Sequence, residues 1–171
     1  MKKITLFAIL AIAAFSSSAY AQTVVSQAAT ATATIITPIA IIKVVDMNFG
    51  DISTNGTDGT VTLDFLSGRV AAGGASFSST TPGTISSAKF TVTGKADYAY
   101  SISIPQTITL THTNTTSVMQ VTNIGNNVGT TGMLTGGAQD IFVGGKLNLV
   151  GAQTAGVYTN TADLKVTVNY N

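Results

Sequence analysis

The stretch ADLKVTVNYN, residues 162–171, alternates apolar and polar side chains from its third residue onward. Strict alternation with a period of two is typical of a β-strand that buries one face and exposes the other to water. Because unsupported chain ends fray, a strand patterned to its last residue is expected to be held within a sheet. The positions predicted to face inward are Leu164, Val166, Val168 and Tyr170.

The same alternation recurs through the rest of the chain. The stretches KFTVT (89–93), YAYSISI (98–104) and TITLTH (107–112) each place their apolar residues on one face. Runs rich in Gly, Asn, Asp and Ser separate these stretches, and no 11-residue window has the pattern of an amphipathic helix. We therefore predict an all-β fold of about eight to ten short antiparallel strands, arranged as a β-sandwich or a small closed sheet.

Two Gly-containing segments are predicted to be loops. They are STNGTDGT (53–60) and SGRVAAGG (67–74). The first contains an Asn-Gly and an Asp-Gly pair, which favour tight hairpin turns that need positive φ.

Residues 1–21 have the three-part pattern of a secretory signal peptide. Two Lys residues come first, an apolar run covers residues 4–15, and Ala19-Tyr20-Ala21 forms a small-residue cleavage site. The apolar run is shorter than the roughly 18 residues that a membrane span needs. We expect a bacterial protein that is exported to the periplasm, the cell surface or the medium, with residues 22–171 forming a single domain.

The mature chain carries few charges. Removal of Lys2 and Lys3 leaves six basic residues against seven Asp, a net charge of −1. Charged residues make up 9% of the whole chain, against about 25% in an average domain. With no basic stripe and no second long apolar run, we expect neither a nucleic-acid partner nor a transmembrane segment in the mature chain.

The residues available for catalysis or metal binding are few. The chain has one His, no Cys and no Glu. His112 ends an alternating strand without a nucleophile motif, so we interpret it as a surface residue rather than a triad base. Asp51 and Asp58 do not have the spacing of a calcium loop. We predict no enzyme activity, no catalytic residue, no metal site and no cofactor.

Sugar recognition would be marked by exposed aromatic side chains. The chain has no Trp, and its Tyr residues mostly lie inside alternating strands. We interpret Tyr98, Tyr100 and Tyr170 as core or edge residues whose hydroxyls reach the rim. A glycan site therefore stays open without a sequence motif to mark it.

Several motifs together resemble an exported bacterial family, the domain of unknown function 4402. An Ala/Thr-rich stretch leads to the first motif, and Leu149 stands where Val is common. The resemblance implies an Ig-like sandwich and no settled function. The motifs are Asn48-Phe49-Gly50, Gly144-Gly145-Lys146-Leu147-Asn148-Leu149, Gly156-Val157-Tyr158 and the residues from Val166 to Tyr170.

A weaker likeness links the chain to chaperone–usher pilins and to spore-coat-U-like pilus subunits. The features that carry it are the penultimate Tyr170, Gly156 well before it, and an early Phe-Gly. In such subunits the sandwich lacks a strand, and an extension from a neighbouring subunit fills the gap. Pilins often contain a disulfide, which a chain without Cys cannot form.

Residues 22–36 allow two interpretations. Either residues 29–36 form the first strand of the chain's own sandwich, or residues 22–36 form a donor strand that joins the Leu164–Tyr170 edge of another subunit. Each buried methylene is worth only about 0.8 kcal/mol, so Ala side chains anchor weakly, and we favour the first interpretation. The residues on the shared face are Val25, Ala29, Ala31, Ala33 and Ile35.

We expect a non-enzymatic structural or adhesive surface protein. In this interpretation it is a fimbria-like subunit that assembles by β-strand addition with copies of itself or related subunits, assisted by a periplasmic chaperone. The alternative is a closed, monomeric, secreted sandwich that binds a surface ligand or glycan through loops such as 111–117 and 125–140.

Overall fold

The computed structural model describes residues 24–77 and 80–171, so the predicted signal peptide lies outside the described residues. The chain divides into two units, one ending at Thr34 and the other comprising Ile35–Asn171. Within its described residues the second unit is nearly all β. Its strands are β1 (Ala40–Val45), β2 (Asn48–Phe49), β3 (Ser53–Leu63), β4 (Arg69–Ser76), β5 (Ile85–Ser86), β6 (Ala88–Thr93), β7 (Ala99–Ser103), β8 (Ile108–His112), β9 (Val118–Asn126), β10 (Thr131–Met133), β11 (Ala138–Leu149), β12 (Tyr158–Thr159) and β13 (Thr167–Tyr170), with a 3₁₀ turn at Thr135–Gly137.

These strands form antiparallel sheets. The large sheet has the order β1-β6-β11-β9-β8-β12, with β3 pairing to β11 and β4 to β3. The small sheet has the order β10-β7-β13, and β2 pairs with β5. One apolar core takes side chains from all of these sheets, for example Phe49, Tyr100 and Val143. The predicted all-β antiparallel sandwich is therefore confirmed.

The strand β11 joins most of the large sheet. Its residues 138–143 pair with β6, and its residues 145–149 pair with β3. Its residues 143–148 pair with β9. Because this range overlaps both the range paired with β6 and the range paired with β3, β9 must lie along the opposite edge of β11. Along one edge, β11 therefore changes partner at Gly144.

Glycine is required at this change of partner because the backbones approach closely. A Cβ on Gly144 would overlap the carbonyl oxygen of Leu63, and a Cβ on Gly145 would lie 2.9 Å from Val121 Cγ1. Both glycines are buried. A larger residue at either position would push β3 or the core away from β11.

A buried hydroxyl joins the small sheet to the large one. The Tyr100 hydroxyl donates to Gln139 Oε1 at 2.8 Å, and the same oxygen accepts the Met133 N–H at 3.1 Å. Burial raises the pKa of the Tyr100 hydroxyl, so it keeps its proton and remains a donor at neutral pH. A Cβ on Gly132 would lie 2.5 Å from the Tyr100 ring, so the glycine leaves space for this side chain.

The predicted loops at 53–60 and 67–74 are wrong, because they form most of a long β3–β4 ribbon. The two strands pair from Ser53↔Ser76 to Leu63↔Arg69, with a register shift between Thr54 and Gly59. The Asn-Gly and Asp-Gly pairs lie at this irregularity. Their turn-forming character produces a bulge inside a strand rather than a chain reversal.

We expect Gly144→Ala to lower the free energy of unfolding by about 1–3 kcal/mol, because the added Cβ overlaps backbone that cannot move without disturbing β3–β11 pairing. Gly125→Ala in β9 is the matched control, since a Cβ there would make only an ordinary contact, 3.8 Å from the Phe65 ring. Urea denaturation measures both values. Equal losses in the two variants would contradict the close-approach argument.

Candidate functional site

The terminal strand alternates as the sequence predicts. The inward positions are buried or half-buried, and the outward positions are exposed. The predicted facing is confirmed, while the role of this strand as a subunit interface stays a prediction. The inward residues are Leu164, Val166, Val168 and Tyr170, and the outward residues are Lys165, Thr167 and Asn169.

β13 is an edge strand. It pairs with β7 from Thr167↔Ser103 to Tyr170↔Tyr100, and no strand among the described residues pairs with its other side. Edge strands are commonly protected by charged side chains or proline, and the four residues of β13 include neither. Among the described residues, the outer backbone groups of β13 therefore have no strand partner.

The Tyr170 hydroxyl holds three segments together. It donates to the Thr37 carbonyl at 2.8 Å and accepts the Lys95 N–H at 2.6 Å. A Cβ on Gly94 would overlap this hydroxyl oxygen, and the Tyr98 ring packs edge-on against the Tyr170 ring with centroids 5.8 Å apart. The penultimate residue thus fixes both the β6–β7 connection and the chain just before β1.

Residues 24–39 contain no strand, and the first strand begins at Ala40. The first strand that we predicted at residues 29–36 is therefore not found. Small Ala and Thr side chains offer little apolar area to hold such a strand in place, and Pro38 has no N–H to donate to a sheet.

All five residues predicted to form the donor face are exposed. Val25 is 83% exposed and Ile35 is 99% exposed. A face that is exposed in a single copy remains available to another molecule, so the donor role stays a prediction. The smaller members of the face are Ala29, Ala31 and Ala33.

His112 is buried, so the predicted surface position is wrong. Its Nδ1 accepts the Asn114 N–H at 3.0 Å, which leaves the proton on Nε2 to donate to the Ala155 carbonyl at 3.1 Å. The Tyr158 ring packs edge-on at 4.9 Å, and a Cβ on Gly156 would overlap Nε2. Both ring nitrogens are therefore occupied by backbone, and the ring serves to hold the segment before β12.

The burial of His112 could have been read from the sequence. In this alternating strand the side chains of every second residue lie on the same face, and these residues are Ile108, Leu110 and His112. The histidine therefore lies on the inward face with the two apolar residues.

The two aspartates considered for calcium form hydrogen bonds with different parts of the chain. Asp58 Oδ1 accepts the Gly151 N–H at 2.8 Å, while the Asp51 backbone N–H donates to the Pro82 carbonyl at 2.8 Å. In the described part of the chain, no group of three or more His, Cys, Asp or Glu side chains is close enough to hold a metal ion.

Arg69 is a structural residue that the sequence interpretation missed. Its guanidinium lies 4.0 Å from the Phe77 ring centre. A Cβ on Gly50, which has φ +70°, would lie 2.6 Å from Nη1 of the same group. The one arginine of the chain was itself a signal, because a planar donor with five N–H groups suits several acceptors at once. It donates to the backbone carbonyls of Phe49, Asp51 and Pro82.

Comparison with family models matches residues 39–170 to a domain of unknown function, DUF4402. The chain belongs to the DUF4402 family. The family predicted from the motifs is therefore confirmed, while the likeness to pilins stays a prediction. No curated protein and no solved structure matches the sequence. Among the described residues, no helix is long and apolar enough to cross a membrane.

The residues of the DUF4402 motifs lie where segments of this chain approach each other closely. Gly50 adjoins the Arg69 guanidinium, Gly144 lies where β11 changes partner, Gly156 leaves room for the His112 ring, and Tyr170 holds Thr37. The motif residues therefore specify close approaches within the fold. The residues predicted as donor fall before the matched range, which begins at residue 39.

We expect Tyr170→Phe to lower the free energy of unfolding by about 1–3 kcal/mol, because two backbone groups lose their hydrogen-bond partner. Tyr98→Phe is the matched control, since the Tyr98 hydroxyl makes no hydrogen bond to a described residue. Its expected change is below about 0.5 kcal/mol. Urea denaturation compares the two, and similar losses would show that the Tyr170 hydroxyl does not stabilise the domain.

Proposed function

We propose that this DUF4402 protein is an exported, non-enzymatic structural or adhesive protein of the bacterial surface. In this proposal it is a fimbria-like subunit, and copies join when a segment of one adds as a strand to the sheet edge of another. The observation that carries the proposal is the unpaired outer edge of β13. Residues 24–35, which are exposed and contain no strand, supply the segment.

Strand addition needs little specialised chemistry, which suits this chain. Main-chain hydrogen bonds provide the attraction, and alternate side chains of the incoming strand provide the specificity. Val25 and Ile35 are the large apolar residues of the donor face, and the alanines between them allow close backbone approach. Thr167 and Asn169, the outward side chains of β13, are uncharged and so do not repel a second strand.

The contact at Tyr170 favours pairing between copies over pairing within one. Thr37 is held at Tyr170, the C-terminal end of β13. If the residues before Thr37 lay along β13 of the same chain, they would finish at the C-terminal end of β13. They would therefore run parallel to it. Parallel pairing is slightly weaker per residue than antiparallel pairing, whereas a segment from a second copy can approach in the antiparallel direction.

The polar side chains best suited to chemistry are already engaged with backbone. Both nitrogens of His112 are bonded to main-chain groups, and the Arg69 guanidinium is bonded to main-chain carbonyls. These contacts support a structural or binding role. Export is part of the proposal through the pattern of residues 1–21, and a periplasmic chaperone that covers β13 before assembly is the proposed partner.

One observation favours the alternative of a closed, monomeric binding module. Val166 and Val168 are 8% and 9% exposed, so their side chains are already covered within one chain. Strand addition at β13 would then rest mainly on backbone hydrogen bonds, with little additional apolar burial. The two functions therefore predict different oligomeric states.

We expect the purified protein to give a ladder of bands on a denaturing gel when unheated, and one monomer band after boiling. Deletion of residues 24–36 should remove the ladder and leave the domain folded, as judged by circular dichroism. A single monomer band from the unheated wild-type protein would contradict assembly by strand addition and favour the closed module.

The assignment of the joint between copies to the edge of β13 is tested by Thr167→Lys, because a charged side chain on an edge strand opposes pairing. Thr131→Lys is the matched control, since Thr131 is exposed on β10 at the opposite edge of the same sheet. The first variant should lose the ladder and the second should keep it. The reverse pattern would place the joint at β10.

A further inference from the structure

A groove of about 310 Å³ opens on the solvent side of the large sheet, where β3, β9 and β11 lie together. Three glycines, Gly125, Gly144 and Gly145, are among its lining residues, so backbone forms part of its floor. Its volume lies at the lower end of the range of about 300–1,000 Å³ that ligand sites occupy. The groove contains no residue of β13.

A bulge in β9 places a polar side chain at this groove. Gly144 pairs with Gly125 and Lys146 pairs with Thr122, so two residues of β9 oppose Gly145 alone. The first of these, Asn123, has φ +50° and is exposed, while the next residue is buried. Bulges re-aim side chains, and the Asn123 amide makes no hydrogen bond to a described residue.

Two charged side chains that line the groove also have free polar atoms. Asp64 Oδ1 accepts the N–H groups of Leu66 and Gly68, both at 2.8 Å, which fixes the carboxylate. Its other oxygen, Oδ2, has no hydrogen-bond partner among the described residues. The Lys146 ammonium likewise makes no ion pair within the described part of the chain. Two of the residues that line the groove therefore carry an unpaired acceptor and an unpaired donor.

An aromatic ring forms one wall of the groove. Phe65 follows the end of β3, and a Cβ on Gly125 in β9 would lie 3.8 Å from its Cζ. Because β3 and β9 pair with opposite edges of β11, the ring reaches across β11 above the glycines. Phe65 is 37% exposed, so part of the ring covers backbone and part is available for contact.

We propose that this groove binds a neutral hexopyranose unit of a glycan. Sugar hydroxyls both donate and accept, and the groove offers an acceptor at Asp64, a donor at Lys146 and both functions at Asn123. The exposed part of the Phe65 ring provides an apolar surface for the C–H face of the sugar. The opposite charges of Asp64 and Lys146 favour a neutral ligand over a charged one.

The position of the groove argues against an extended peptide as its ligand. A peptide gains most of its affinity for a sheet by pairing with an unoccupied strand edge. At the groove, β11 is already paired along both edges, with β3 on one side and β9 on the other. A compact ligand that contacts side chains suits this surface better.

The test is a titration of the ¹⁵N-labelled protein with the methyl glycosides of glucose, mannose, galactose and N-acetylglucosamine, each at millimolar concentration. At least one glycoside should produce saturable shifts in the amide signals of residues 62–65, 123–125 and 144–146. Shifts at none of these positions with any of the four sugars would overturn the proposal. Saturable shifts there with N-acetylneuraminic acid and none with the four glycosides would also overturn it.

Two variants test the contacts while preserving the fold. Phe65→Leu keeps an apolar cover over the glycines and loses the ring, and Asn123→Gly keeps the positive φ and loses the amide. Each should weaken binding about tenfold or more, which corresponds to about 1.4 kcal/mol. Tyr98→Leu is the control, since Tyr98 is 41% exposed and lies outside the groove. Wild-type affinity in both groove variants would overturn the proposal.

The same titration separates this inference from assembly at β13. Thr167→Lys leaves the groove unchanged, so this variant should bind the sugar with wild-type affinity whether or not the wild-type protein forms a ladder. Loss of sugar binding in Thr167→Lys would overturn the assignment of the binding site to the groove.

Discussion

The backbone of β11 forms hydrogen bonds with three other strands, and the arrangement of the large sheet depends on those bonds. Its first half continues the β1–β6 layer, and its second half brings in the β3–β4 ribbon. The change of partner from β6 to β3 is sterically possible because Gly144 and Gly145 lie at this point of β11. Any side chain there would meet the Leu63 carbonyl or the buried Val121. The strand order of the large sheet therefore requires the two adjacent glycines of the DUF4402 motif. Their role is to allow close packing and not to provide flexibility.

Sequence periodicity was sufficient to predict the class of the fold and the facing of regular strands. Phe90 and Val92 are buried as alternation requires, because each side chain of an unbroken strand points opposite to the next. Periodicity was insufficient for β9, where Val121 and Ile124 are both buried although three residues apart. The bulge at Asn123 inserts one residue and reverses the alternation beyond it. The groove was not predicted because it depends on that bulge and on residues from three separate strands.

Hydrogen bonds from side chains to backbone take the place that ion pairs have in more highly charged domains. The described residues contain two ion pairs, of which Lys89–Asp140 joins β6 to β11. Hydrogen bonds from Lys89 and Thr91 lower the pKa of Asp140, so this contact is kept at neutral pH and weakens in acid. Elsewhere Arg69, His112 and Tyr170 each join segments through main-chain groups. Such contacts depend on the path of the chain, and pattern analysis of the sequence therefore did not find them.

The two proposed surfaces belong to different sheets, and this separation has a functional consequence. β13 lies at the edge of the small sheet, whereas the groove lies on the large sheet and is lined by β3, β9, β11 and the residues after β3. A strand added to β13 would extend the small sheet in its own plane and would not need to cover the groove. Assembly would therefore repeat the groove along a fibre, and weak binding of single sugar units would be strengthened by multivalency. A structural role and an adhesive role are in this way compatible in one domain.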